Sequence, residues 1–181
     1  MIRLKNIVNG ILAEEEKSSE DTVANNKGYN IKNIYHGTTE KFNVFKFDTL
    51  KNVKASDTDK VIYATDSEEE AKIAGSPDSS RSKVMKLYGK LKNPMVVDAK
   101  GTEKNKSFGT IGYKKLIQMA KSRNHDGAII KNVIDFGNTP QTTYIFFDTK
   151  AVKLAGETKD NSGNLIPLSQ RFNSTVDDLR F

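Results

Sequence analysis

The residue pattern predicts a single α+β domain, on three observations. Five or six short runs of strand-forming residues stand against two or three helical stripes. These elements do not alternate strictly, as a doubly wound parallel sheet would require. A chain of 181 residues, 36% hydrophobic and 29% charged, suits one ordinary core with polar extensions.

Taken in order, the elements are these. Leu4, Ile7, Val8, Ile11 and Leu12 repeat at helical spacing, with Arg3, Lys5 and Asn6 opposite, so residues 1–14 are expected to form an amphipathic helix. The stretch from Glu14 to Gly28 is too poor in apolar residues to offset its ordering entropy, and residues 15–30 are expected to be a polar linker. The domain proper is expected over 31–155. It opens with a strand at Ile34-Tyr35-His36, where Gly37 permits a turn or a close backbone approach. Phe42, Phe45 and Phe47 are read as a satellite packing cluster, and Val61 to Ala64 as a second strand.

Ser67 before Glu68-Glu69-Glu70 has the chemistry of an N-cap and an acidic first turn, and Gly75 and Pro77 should stop that helix. Met85, Leu87 and Leu91 alternate with Lys86 and Lys90, the period of a half-buried strand, and Pro94 introduces an edge strand at 95–97. Residues 100–110 read as a Lys-, Gly- and Ser-rich loop. Leu116, Ile117 and Ala120 mark the inner face of a helix over 111–122. Asp126-Gly127 turns the chain into a strand at 128–130, and Tyr144 to Phe147 is the most apolar strand. His125 and Asp135 read as loop residues, and Asp148 as a strand end. Residues 156–181 form a polar tail whose Ile166, Leu168, Phe172 and Leu179 could dock on the domain.

Composition excludes several classes of chemistry. Without cysteine there is no disulfide framework, thiolate metal site or thiol nucleophile. Two histidines cannot build a His-rich metal centre, and no HExxH, EF-hand, Walker, GxGxxG or GxSxG pattern occurs. No metal is expected. The apolar runs fall short of the roughly 20 residues that a membrane-spanning helix needs, and the first residues lack a secretory apolar region. A net charge of +6 favours anionic surfaces. It is dispersed among acidic residues, so nucleic acid is only weakly suggested as a partner.

Three segments remain as carriers of chemistry: Ile34-Tyr35-His36-Gly37-Thr38, Val61-Ile62-Tyr63-Ala64-Thr65-Asp66 and Thr143-Tyr144-Ile145-Phe146-Phe147-Asp148. In this order they resemble the three signature strands of the diphtheria-toxin and poly(ADP-ribose) polymerase branch of ADP-ribosyltransferases. Leu91 to Asp98, Asp126 to Ile130 and Gly163 to Phe172 are similar to segments of the related domains in phage and prophage polyvalent proteins. The resemblance implies a split antiparallel β-sheet core with a few short helices and NAD as co-substrate. It also implies roles. His36 would bond the adenosine-side ribose, Gly37 and Thr38 would line the cofactor pocket with Gly37 gripping the nicotinamide amide, and Tyr63 would stack on the nicotinamide ring.

The family's glutamate is replaced by Thr143, and Gln141 stands where arginine-specific members carry another acid. Ala74 falls where many relatives place a second ring. A threonine hydroxyl can bond a ribose but supplies no negative charge, which argues against polymer formation and leaves two expectations. One is a mono-ADP-ribosyltransferase acting on a protein acceptor, with His36, Tyr63, Thr143 and Gln141 as its catalytic set. The other is a catalytically degenerate module of the phage virion. Leu12-Ala13-Glu14 after the amphipathic segment resembles the cleavage sequence of capsid-targeting peptides, which implies capsid proteins as partners and the phage head or the host bacterial cytoplasm as the location.

Overall fold

The computed structural model describes residues 20–39, 60–76, 78, 80–109, 112–160 and 162–173. The expected helix at 1–14, its cleavage sequence and the Phe42–Phe45–Phe47 cluster lie outside these residues. Residues 20–26 are helical (α1). Then follow strands β1 (Ile31–Thr38) and β2 (Ile62–Thr65), helix α2 (Glu68–Gly75), strands β3 (Lys83–Gly89) and β4 (Pro94–Glu103), and helices α3 (Lys104–Phe108) and α4 (Lys114–Ser122). Strands β5 (Gly127–Ile134) and β6 (Gln141–Phe146), a 3-10 turn at Thr149–Ala151, β7 (Val152–Leu154) and α5 (Leu168–Arg171) complete the order.

The strands form one seven-stranded sheet, β4-β5-β6-β2-β1-β3-β7. Every pair is antiparallel except β4 with β5. Runs of strands and helices out of alternation on such a sheet make the fold α+β, as the residue pattern implied. Each sheet face carries its own core, because successive strand residues point to opposite sides. On β6, Phe146 joins Ile34, Ile62 and Leu87 on one side, while Ile145 joins Ala128, Ile130 and the α4 residues Leu116 and Ile117 on the other. α2 begins as its sequence dictates: the Ser67 hydroxyl accepts from the Glu70 amide at 3.2 Å. α4 buries Leu116, Ile117 and Ala120, and ends before Asn124, whose φ of 59° suits a residue that tolerates left-handed backbone.

Two expectations are corrected. The linker expected at 15–30 is, over its described part, a helix followed by a turn. Ala24 and Tyr29 are buried there against Tyr88 and Phe172, and Glu20 pairs with Arg171. Its own apolar content is low, and the partners that hold it lie far along the chain. The tail from 156, whose apolar residues were expected to be able to dock, is docked along its described part, with Thr158, Ile166 and Phe172 buried. The loop expected at 100–110 is instead the end of β4 followed by α3. Lys100 and Gly101 adopt positive φ, the pairing of β4 with β5 shifts between Asp98 and Thr102, and the strand resumes after this bulge.

Candidate active site

Strands β1, β2 and β6 are far apart in sequence but adjacent in the sheet: Tyr35 pairs with Thr65, and Thr65 with Thr143. This adjacency brings the three motif segments to one cavity of about 420 Å³, lined by His36, Gly37, Tyr63, Gln141 and Thr143. Ala74 also reaches it. Thr38 does not: it ends β1 opposite Lys83, outside the lining. Asp148 is away from the cavity and caps the 3-10 turn by accepting from the Lys150 amide at 2.9 Å.

His36 Nδ1 lies 2.7 Å from the Tyr63 carbonyl. A carbonyl only accepts, so Nδ1 carries the proton and the imidazole is oriented by the neighbouring strand. Tyr63 itself is 41% exposed, with its ring 6.2 Å from that of Tyr113 and tilted by 33°. Gly37 is required by packing: a Cβ there would sit 1.6 Å from the Ala71 carbonyl oxygen of α2. Asp66 fixes the β2 terminus on β6, its carboxylate accepting from the Thr142 amide at 2.8 Å.

Four further lining residues, Glu70, Lys104, Tyr113 and Asp135, were not singled out by the motifs. Glu70 belongs to the acidic first turn of α2, yet it is buried. Its Oε2 accepts from the Phe136 amide at 3.2 Å and from Gln141 Nε2 at 3.3 Å, and Gly137 lets the β5–β6 loop close on it, since a Cβ there would meet Glu70 Oε1 at 2.0 Å. Tyr113 Oη donates to Asp135 Oδ2 at 2.9 Å. Burial, and then the Asp135 charge, push the Tyr113 phenol far above its ordinary range. Asp135 pairs with Lys104, which lies 4.6 Å from the Phe136 ring centroid. The signal that could have flagged Glu70 is its position as third residue of a short helix that faces the sheet. For Asp135 and Tyr113 no local signal exists, because they meet through the fold.

The cavity thus combines an exposed aromatic ring, a histidine of fixed orientation, and the buried polar side chains of Gln141 and Thr143. These are groups suited to a ligand with a flat ring, an amide and sugar hydroxyls. A family model described as "ADP-Ribosyltransferase in polyvalent proteins" matches residues 25–164. No curated protein and no solved structure matches the chain. The matched span runs from α1 to beyond β7 and includes every residue of the cavity, and the chain therefore belongs to the family of ADP-ribosyltransferase domains of polyvalent proteins.

Proposed function

We propose that the chain transfers one ADP-ribosyl unit from NAD to a protein acceptor. The observation that supports this most is the convergence of His36, Tyr63, Gln141 and Thr143, from three strands, on one cavity. In the transfer, the bond between ribose C1′ and the nicotinamide nitrogen breaks and its electron pair leaves with that nitrogen. The acceptor's nucleophilic atom bonds to C1′ and its proton passes to solvent. The residues act by position and electrostatics. Tyr63 offers a ring face for the nicotinamide, His36 a donor or acceptor for a ribose hydroxyl, and Thr143 and Gln141 polar contacts beside the reacting carbon. Without an acid on β6, repeated transfer onto a growing ADP-ribose chain is not expected.

The test is incubation of the full chain with labelled NAD and a bacterial lysate, beside a His36→Ala variant. Label on a protein band, lost in the variant, supports the transferase. The threonine at position 143 favours a second reading, a binding module that has kept the fold. NAD binding without transfer in the same experiment would select it.

A further inference from the structure

Glu70 is 3% exposed, yet it lines the cavity. Its Oε2 accepts from the Phe136 amide at 3.2 Å and from Gln141 Nε2 at 3.3 Å, and it stands in the first turn of α2, behind the Ser67 cap. These groups offer it partial positive charge only, from two N–H dipoles and a helix end. None of the ion pairs among the described residues includes it. A buried carboxylate without a full countercharge is unfavourable, and a cation brought close relieves it.

The lysines at the cavity do not offset this charge. Lys104 is paired with Asp135 and lies over the rings of Tyr113 and Phe136, 5.5 and 4.6 Å from their centroids, so that pair sums to zero. Lys114 is exposed, where water and salt screen it. The cavity also offers aromatic faces. The Tyr63 ring is 41% exposed, with the Tyr113 ring 6.2 Å from it. Such faces attract cations through their quadrupole, and a flat cation gains from stacking as well.

We propose that Glu70 is a specificity-determining residue that makes the cavity selective for a flat cationic ring over its neutral counterpart. In NAD that ring is the nicotinamide, a pyridinium; the proposal rests on the NAD-using reading for the name of the ligand alone. Glu70 need not touch the ring, because a charge acts over distance where a hydrogen bond does not. A cavity of about 420 Å³ is roughly 9 Å across, and at an effective dielectric constant near 20 two unit charges that far apart change affinity by at least about tenfold. The same preference would clear the product. When the bond from C1′ breaks, its electron pair makes the nicotinamide neutral, and the attraction that held the ring ends.

Calorimetric titration of the full chain with two pairs of ligands reads the preference. One pair is NAD and NADH, which share their phosphates and sugars and differ in the charge of one ring. The other is the N-methylpyridinium form of nicotinamide and nicotinamide itself. The wild-type chain should bind the cationic member at least about tenfold more tightly, and Glu70→Gln should bring each ratio down by roughly that factor. Exchanging the two side chains, Glu70→Gln with Gln141→Glu, returns a carboxylate to the cavity with its hydrogen bond intact and should restore the ratios. Glu69→Gln, next to Glu70 but exposed, removes the same formal charge where it is screened and should leave them unchanged. A merely structural Glu70 would lower the affinity for both members alike, and an unchanged ratio in Glu70→Gln would overturn the proposal. So would a wild-type chain that binds the members of each pair equally or binds none of them, a comparison that needs no variant to fold. Cation selectivity without transfer from NAD would remove the transferase and leave this proposal standing; transfer without selectivity would do the reverse.

Discussion

Replacing Phe172 by alanine should destabilise the whole domain, although this residue lies beyond the family match and near the end of the described chain. Its ring is 2% exposed. It packs on Tyr29, which follows α1, with centroids 5.5 Å apart, and edge-on against Tyr88 of β3 at 5.1 Å. One side chain therefore joins the N-terminal segment, the sheet and the C-terminal segment. Truncating a buried phenylalanine removes its transfer free energy and leaves a cavity, together about 3–5 kcal/mol. For a chain of this length about 4 kcal/mol corresponds to a fall in Tm of roughly 8–16 °C. Thermal and urea unfolding of the full chain, followed by circular dichroism and by tyrosine fluorescence, would measure it, since there is no tryptophan to mask the signal. Leu165→Ala is the matched control: this side chain is 57% exposed, and its loss should change stability by less than about 0.5 kcal/mol. A Phe172→Ala change below about 1 kcal/mol would refute the reasoning, and the two terminal segments would then be ornaments on a domain stable without them.

Two further outcomes follow from single contacts. Gly37→Ala should cost about 3 kcal/mol in urea unfolding, because the new Cβ meets backbone atoms, Ala71 O at 1.6 Å and Ala71 C at 2.6 Å, that no rotamer change can clear; wild-type stability would mean that β1 and α2 are not in this contact. Burial raises the phenols of Tyr88 and Tyr113, with help from Asp21 and Asp135 respectively. The folded state then keeps protons that the unfolded chain releases above about pH 10, so this contribution is full below that pH and is lost as the pH rises beyond it. Absorbance at the phenolate band should report these two rings only as the circular dichroism signal is lost, and phenolate appearing in a still-folded chain would contradict the assignment.

Elements whose cause is local were legible in the sequence. The hydroxyl of Ser67 and the amide of Glu70 are three residues apart, so α2 could be placed from its cap. The stripe of Leu116, Ile117 and Ala120 placed α4 in the same way. Elements whose cause is distant were not. α1 is held by Glu20, which bonds Arg171 at 3.2 Å across 151 residues, and by Tyr29, whose hydroxyl donates to the Lys150 carbonyl at 2.9 Å. β1 runs from Ile31 although its early residues look unlike a strand, because Asn33 takes a φ of 55° and accommodates a register shift. The same device at Lys100 and Gly101 made the second half of β4 look like a loop.

The site divides along the same line. Matching segments to a motif names the residue at each motif position, and His36, Tyr63 and Thr143 line one cavity because the order of those segments is the order of three adjacent strands. It also finds that position 143 holds no acid. It cannot find where the negative charge of the cavity sits, because charge can act through another side chain. Glu70 reaches Gln141 across 71 residues, and Asp135 reaches Tyr113 across 22. A carboxylate that meets a motif position from a distant element leaves a different trace there: the residue must be able to donate to it. A glutamate at position 141 would set two carboxylates against each other, whereas the Gln141 amide donates to Glu70, so the residue at the motif position and the distant acid answer to one another and only the fold shows the pair.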